Sequence, residues 1–140
     1  VITPADWNLI SSAARYANGA ETGSASETEA HTITVGTNAS GGYTMTVNGT
    51  TLTSGGDTIT AIGDQTLLLI GSEQFGLRAT ASGGIGTVTL DTGAFPDEVA
   101  SATAGSDDTT YSMRYIANIS SSTEAGAYTA NLTYIATGTF

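Results

Sequence analysis

The sequence predicts an all-β protein built as an antiparallel β-sandwich, on three observations. Apolar and polar side chains alternate with a period of two over many short segments, as in strands with one buried face. Glycine-rich turns separate these segments at close spacing. The composition has 26 threonines and 18 glycines but no lysine, which favours strands and turns over helical bundles. A chain of 140 residues suffices for one domain with its own core.

The chain divides into two unequal parts. Residues 1–29 are predicted to form an N-terminal arm or helix followed by an acidic linker, whose Ser, Thr, Gly and Glu residues are typical of a solvated loop. Residues 30–140 carry the alternating pattern and are predicted to form the sandwich domain.

A short helix is predicted within the N-terminal part. Thr3 is a candidate cap and Pro4 suits the first helical position, while Asn18-Gly19 is a C-terminal stop signal. These signals predict a helix from residue 4 to about residue 17. An extended arm is the alternative interpretation of the same residues.

The sandwich part reads as roughly eight short strands joined by turns. Asn48-Gly49 is a strong hairpin signal, and residues 54–56 and Gly83-Gly84 are further glycine turns. Residues 67–70 are wholly aliphatic and predict a central strand, whereas residues 91–108 predict the longest loop. Close strand spacing without helical patterns indicates a jelly-roll or immunoglobulin-like sandwich.

The last thirty residues show the cleanest alternation. Residues 111–119 and 128–140 each predict a strand, and the Ser-rich turn at 120–126 predicts that the two pair as an antiparallel hairpin. In the final strand the predicted inward face consists of Tyr128, Ala130, Leu132, Tyr134, Ala136 and Phe140.

Charge and cysteine content exclude several classes. Arg15, Arg78 and Arg114 oppose 13 acidic residues, and the net charge of -10 repels phosphate backbones, so we expect no nucleic-acid partner. Without cysteine or lysine the chain has no disulfide, no thiolate metal site and no Lys–Asn isopeptide bond. No apolar stretch approaches the roughly 20 residues of a membrane span. The start at Val1 rather than Met suggests a processed N-terminus, which favours secretion and an extracellular or cell-surface location.

Several stretches carry a resemblance to known proteins. They are Gly41-Gly42-Tyr43-Thr44-Met45-Thr46-Val47, Leu52-Thr53-Ser54-Gly55, Glu73-Gln74-Phe75-Gly76-Leu77, Tyr115-Ile116-Ala117-Asn118-Ile119 and the stretch from Ala125-Gly126-Ala127-Tyr128-Thr129 to Phe140. Over about residues 31–140 the chain resembles a family of uncharacterised secreted surface proteins from small-genome candidate-phylum bacteria. Its closing strand is similar, more loosely, to the last strand of fimbria-type (pilus-type) β-sandwich subunits. The resemblance implies an extracellular β-sandwich and assembly into surface structures, with no catalytic residues to transfer.

Few side chains offer chemistry. His31 is the sole histidine. The alternation places it on the same strand face as Ile33 and Val35, which is more typical of a packed strand residue than of a catalytic base. The candidate calcium ligands, or glycosidase acids, are Asp97, Glu98, Asp107 and Asp108. Neither adjacent pair has the spacing of a calcium loop, so we predict no enzyme activity, no metal and no cofactor.

Aromatic residues and asparagines leave alternatives open. The tyrosines form either a sugar-stacking platform or part of the core, and their parity with Met45, Met113 and Leu132 favours the core. They are Tyr43, Tyr111, Tyr115, Tyr128 and Tyr134. Four Asn-x-Ser/Thr sequences are candidate glycan attachment sites, at Asn38, Asn48, Asn118 and Asn131.

Two functions remain. The first is a self-assembling structural subunit of an extracellular filament or surface layer; the alternative is an extracellular module that binds carbohydrate or another ligand. In the first, the N-terminal segment is predicted to contact a neighbouring subunit, because an apolar arm on a flexible linker requires a groove or a sheet edge. The alternative interpretation is that the segment packs on its own domain as a lid. The predicted contact residues are Ile2, Trp7, Leu9, Ile10 and Tyr16.

Overall fold

The computed structural model describes residues 16–17, 20–21, 29–62, 72–89 and 95–140. Within these residues the protein is all-β, with eleven strands and no helix. The strands are β1 (Tyr16–Ala17), β2 (Ala20–Glu21), β3 (His31–Thr37), β4 (Tyr43–Gly49), β5 (Thr53–Ser54), β6 (Asp57–Thr58), β7 (Gln74–Ser82), β8 (Thr87–Val88), β9 (Asp97–Ala102), β10 (Ser106–Asn118) and β11 (Leu132–Gly138).

Two antiparallel sheets form a sandwich-like body. The three-stranded sheet has the order β3-β10-β7, and the four-stranded sheet has the order β11-β4-β9-β8. Two short ribbons, β1-β2 and β5-β6, complete the described strands. The prediction of an all-β, antiparallel, sandwich-like protein is confirmed. No helix among the described residues is long and apolar enough to cross a membrane.

The core lies between the two sheets. Alternate residues of β4, β7 and β10 contribute to it, as the period-two pattern predicts, whereas β9 contributes the neighbouring residues Val99 and Ala100 at a register shift in its pairing with β4. The fully buried members are Tyr43, Met45, Val47, Leu77, Ala79, Val99, Ala100, Ala102, Tyr111 and Met113. Burying a side chain the size of Met or Val stabilises the fold by about 1.5–3 kcal/mol.

The predicted C-terminal hairpin is wrong. The 13-residue strand β10 pairs with β3 along one edge and with β7 along the other, so neither edge is left for β11. Strand β11 pairs instead with β4, in the other sheet, and residues 119–131 cross between the sheets. The inward face predicted for β11 is confirmed at Leu132 and Tyr134, which are half-buried while Thr133 is exposed, but it is wrong at Ala136, which is exposed.

The N-terminal helix is contradicted where the structure describes it. Tyr16 and Ala17 form a strand that pairs with Ala20 and Glu21, rather than the last turn of a helix. The sequence between the two strands, Asn18-Gly19, is as strong a hairpin signal as it is a helix stop. Residues 1–15 lie outside the described residues.

Some of the predicted turns are confirmed and others are wrong. Asn48-Gly49 is not a hairpin turn, because β4 continues through it and pairs Asn48 with Thr133 of β11. The turn at residues 54–56 is confirmed by the β5-β6 ribbon, and Gly83-Gly84 is confirmed as a turn with positive φ. The predicted loop at 91–108 contains β9 and the start of β10. The strand predicted at residues 67–70 lies outside the described residues.

Candidate functional site

One side of the sandwich, here called the open side, carries the two edge strands β3 and β11. Strand β3 ends the three-stranded sheet and β11 ends the four-stranded sheet, and no described strand pairs with the outer edge of either. Neither strand contains proline or an acidic, lysine or arginine side chain. Natural sheet edges usually carry such residues, because they discourage pairing with another chain.

An aromatic cluster joins the two sheets at the open side. His31 Nε2 of β3 lies 2.7 Å from the Tyr115 hydroxyl of β10, and that hydroxyl lies 2.6 Å from the hydroxyl of Tyr134 on β11. The His31 ring also contacts the Tyr134 ring edge-on, with centroids 5.9 Å apart. Phe75 stacks on Tyr115 from the other side at 6.5 Å. The cluster therefore holds β3 and β11 next to each other.

Burial sets the electrostatics of this cluster. It raises the pKa of the Tyr134 hydroxyl well above its usual range, and the hydrogen bond with Tyr115 adds to the shift. Burial also raises the pKa of Tyr115, although the hydrogen bond with Tyr134 acts in the opposite direction. Both tyrosines are therefore neutral hydrogen-bonding groups at physiological pH. Neither is poised as a base or nucleophile.

The tyrosines do not form a flat platform for a sugar ring. Tyr43 and Tyr111 are buried in the core, as their parity predicted, and their hydroxyls lie 2.6 Å apart. The rings of His31 and Tyr115 are tilted by 32°, and the Tyr115 and Tyr134 hydroxyls bond to each other. Tyr128 is half-buried and donates its hydroxyl to the Glu124 carbonyl oxygen.

The four acidic candidates do not converge. Asp97 and Glu98 lie at the start of β9, where Asp97 Oδ1 accepts the Glu98 amide and Glu98 Oε1 accepts the Thr89 hydroxyl, each at 2.9 Å. Asp107 and Asp108 lie at the start of β10, which the chain reaches only after β9 has ended. The length of β9 alone, at the usual rise of a strand, is roughly 15 Å. Among the described residues no three histidine or acidic side chains group as metal ligands do.

The remaining predicted sites have separate outcomes. Asn118 is wholly buried and donates its amide to Gln74 Oε1 at 3.1 Å, so its prediction as a glycan site is wrong for the folded protein. Asn38, Asn48 and Asn131 are exposed. Tyr16 belongs to β1, and the other predicted subunit contacts, Ile2, Trp7, Leu9 and Ile10, lie outside the described residues.

Two side chains of β11 and its continuation add exposed apolar surface to the open side. Ile135 is 49% exposed and Phe140 is 95% exposed. Sequence parity placed Phe140 on the inward face, but β11 ends at Gly138 and the Phe140 side chain is exposed, although Thr139 still forms backbone hydrogen bonds with Gly41 and Gly42. Alternation in the sequence already places Ile135 on the polar face of its strand, but only the sheet order shows that this strand is an uncharged edge.

Sequence reasoning also missed a polar surface on the outer face of the three-stranded sheet. Arg114 of β10 lies directly opposite Arg78 of β7, so two of the three arginines in the chain are cross-strand neighbours. The signal was present in the sequence, since both arginines alternate with core residues. The strand register that places the two arginines opposite each other could not be predicted from the sequence.

Comparison with known proteins does not assign this chain to a family. No family model, curated protein or solved structure matches this chain significantly. The resemblance to secreted bacterial surface proteins therefore stays an expectation from the sequence, and the class defined by the structure is an all-β, antiparallel, sandwich-like protein.

Proposed function

We propose that the protein is a structural subunit of an extracellular, pilus-like filament or surface layer, which assembles with copies of itself through non-covalent contacts. The observation that carries the proposal is the open side, where two uncharged strand edges lie side by side. An uncharged edge presents a row of backbone donors and acceptors, which another extended chain satisfies by adding a strand.

The N-terminal segment is the proposed second half of this contact. Ile2, Trp7, Leu9 and Ile10 give it apolar side chains, and the acidic linker at 21–29 gives it reach. A segment that inserts at the open side of the next copy makes a head-to-tail contact. Such a contact does not close on itself and so propagates into a polymer.

Further features belong to the same proposal. They are secretion to the cell surface, a jelly-roll or immunoglobulin-like strand arrangement, and glycans at the exposed asparagines Asn38, Asn48 and Asn131. The proposal includes no catalytic activity and no cofactor. A ligand-binding module built on the tyrosine rings is disfavoured, because those rings are buried or tilted and their hydroxyls are engaged with each other.

Negative-stain microscopy and sedimentation at neutral pH test the proposal. The full chain is expected to form long regular polymers, and a protein lacking residues 1–26 is expected to be a folded monomer. A wild-type protein that remains monodisperse would overturn the proposal. A truncated protein that still polymerises, or that no longer folds, would show that the N-terminal segment is not the connecting element.

A matched pair of substitutions tests the strand edge. Ile135→Lys places a charge on β11 and is expected to abolish polymers, because a lysine on an edge strand discourages pairing. Ile85→Lys is the control, since Ile85 is exposed to a similar extent, 53% against 49%, but lies in the turn before β8. Equal polymer yield from the two variants would remove the β11 edge from the contact.

A further inference from the structure

The end of strand β4 carries an asparagine followed by a glycine. Asn48 is exposed, whereas its neighbour Val47 is buried in the core, so the Asn48 side chain lies on the outer face of the four-stranded sheet. Gly49 is the last residue of the strand. Its amide nitrogen donates to Asn48 Oδ1, the side-chain oxygen of the residue before it, at 2.9 Å. The Asn48 side chain is therefore folded against the next peptide group of its own chain.

This contact joins the two groups that react when an asparagine loses its side-chain amide. In that reaction the peptide nitrogen after the asparagine attacks the side-chain carbon Cγ. The carbon Cγ of Asn48 is bonded to Oδ1, so the hydrogen bond holds the Gly49 nitrogen beside the carbon that it would attack. Holding two reacting groups in contact removes much of the entropic cost of their reaction.

The fold requires a glycine at position 49. A Cβ there would clash with the carbonyl oxygen of Asn131 and would crowd the Leu132 side chain. Glycine is also the residue that obstructs the attacking nitrogen least, because it has no side chain beside that atom. The other two exposed candidate glycan sites, Asn38 and Asn131, precede residues that carry a side chain. The close approach of residue 131 to β4 therefore preserves the reactive Asn-Gly pair.

We propose that Asn48 is a site of spontaneous modification, at which the folded protein converts this asparagine to aspartate and isoaspartate. The Gly49 amide loses its proton to hydroxide, its nitrogen bonds to Asn48 Cγ, and the Cγ–Nδ2 bond breaks to release ammonia. Water then opens the resulting succinimide ring. Opening at Cγ gives aspartate, and opening at the backbone carbonyl carbon gives isoaspartate. The reaction consumes water, releases ammonia and needs no enzyme or oxidant.

The isoaspartate product changes the backbone of β4 as well as its charge. It inserts an additional backbone carbon between residues 48 and 49, which pair with Thr133 and Leu132 of β11. An insertion into one strand misaligns the ladder, as a β-bulge does. Among the described strands only β4 pairs with β11. The modification therefore loosens one end of β11, and this effect does not depend on polymer formation.

Backbone contacts on either side confine this loosening to the start of β11. Before the strand, Thr129 exchanges two backbone hydrogen bonds with Thr53. After the strand, Thr139 accepts a hydrogen bond from the Gly41 amide and donates one to the Gly42 carbonyl oxygen. The far end of β11 is therefore held independently of residues 48 and 49, and it serves as an internal reference.

The test is incubation of the full-length protein at neutral and mildly alkaline pH, followed by peptide mass spectrometry. The protein comes from a host without N-glycosylation, because a glycan on Asn48 would occupy Nδ2. Conversion of Asn48 is expected to accumulate, with isoaspartate among the products, and to be faster at the higher pH because the Gly49 amide must lose its proton. Peptide mapping separates it from the other Asn-Gly pair, Asn18-Gly19. An Asn48 that stays intact in the folded protein would overturn the proposal.

Two variants separate the backbone change from the charge. Asn48→Asp carries the new carboxylate without the additional backbone carbon, and Asn48→Ser cannot react. Hydrogen exchange at Leu132 and Thr133 should be several-fold faster in the isoaspartate form of the wild type than in fresh protein, and unchanged at Gly138. Both variants should exchange as fresh wild type does, before and after incubation. Equal loosening in Asn48→Asp, or unchanged exchange in the isoaspartate form, would contradict the proposed effect on β11.

Discussion

At the scale of single residues, the tyrosine hydroxyls link the two sheets without any covalent bond. Tyr111 and Tyr115 lie on the inward face of β10, and each meets a tyrosine of the four-stranded sheet, Tyr43 and Tyr134 respectively, at 2.6 Å. The inner pair is buried and the outer pair lies at the open side. In a chain without cysteine, such pairs are a means of fixing one sheet on the other.

Removing one hydroxyl of the inner pair is predicted to cost more than removing both. Tyr111→Phe leaves the buried Tyr43 hydroxyl without a partner and should lower the free energy of unfolding by about 1–3 kcal/mol. The double variant Tyr43→Phe/Tyr111→Phe should be closer to the wild type. Urea denaturation of the double-mutant cycle measures this difference. Tyr128→Phe, at an exposed hydroxyl, is the control and should change stability by under about 0.5 kcal/mol. Additive losses would show that the two hydroxyls are not coupled.

The same hydroxyls predict the alkaline limit of stability. Burial raises the pKa of Tyr111 and of Tyr134 in the folded protein above the unfolded value of about 10. The folded state therefore favours the neutral phenols. Their contribution is fully present below about pH 10 and is lost as the pH rises above it. Denaturation curves from pH 8 to 11 should show stability falling above pH 10, and falling less steeply in Tyr111→Phe. A flat profile would contradict the assignment.

At the scale of elements, the turns depend on a few glycines whose surroundings differ. Gly42, in the turn between β3 and β4, has φ of 78°, and Gly55, in the β5-β6 ribbon, has φ of 61°. Both positions disfavour a side chain through the backbone alone. A Cβ at Gly42 would clash with the carbonyl oxygen of Ala102, whereas a Cβ at Gly55 would meet nothing within 4 Å.

Alanine at these two glycines is predicted to separate backbone strain from crowding. Gly55→Ala should cost about 1–2 kcal/mol, which is the penalty of the left-handed conformation. Gly42→Ala should cost clearly more, because the β3–β4 turn must also move away from β9. Thermal or urea unfolding of the two variants measures the difference. Equal losses would mean that the turn at Gly42 adjusts freely.

At the scale of the whole molecule, stability rests on packing and hydrogen bonding. The chain has no cysteine, and the acidic pairs Asp97-Glu98 and Asp107-Asp108 lie apart. We therefore predict that neither dithiothreitol nor EDTA changes the melting temperature. Differential scanning calorimetry with and without each reagent is the measurement. A large drop with EDTA would show that one acidic pair binds calcium and stabilises the fold.

The architecture shows which inferences a single sequence supports. Strand existence and inward parity followed from alternation alone, as in β4 and β10, because a half-buried strand needs one apolar face whatever its partners are. Which strands pair with each other did not follow from the alternation. The C-terminal hairpin failed because both edges of β10 are taken by β3 and β7, and the Asn48-Gly49 turn failed because β11 extends β4 through it. Local turn chemistry was outweighed in both cases by contacts far away in sequence.

The sequence by itself determined the class of the protein, because composition and period-two patterning are local properties. That class is an all-β chain with a core between two sheets, little positive charge and no disulfide or isopeptide cross-link. Only the tertiary structure decided which surfaces are available. It placed the uncharged edges β3 and β11 on one side, buried Asn118, and set Arg78 opposite Arg114. Register and sheet order bring residues together across long sequence separations, and a shift of one residue would have turned each of these side chains to the other face.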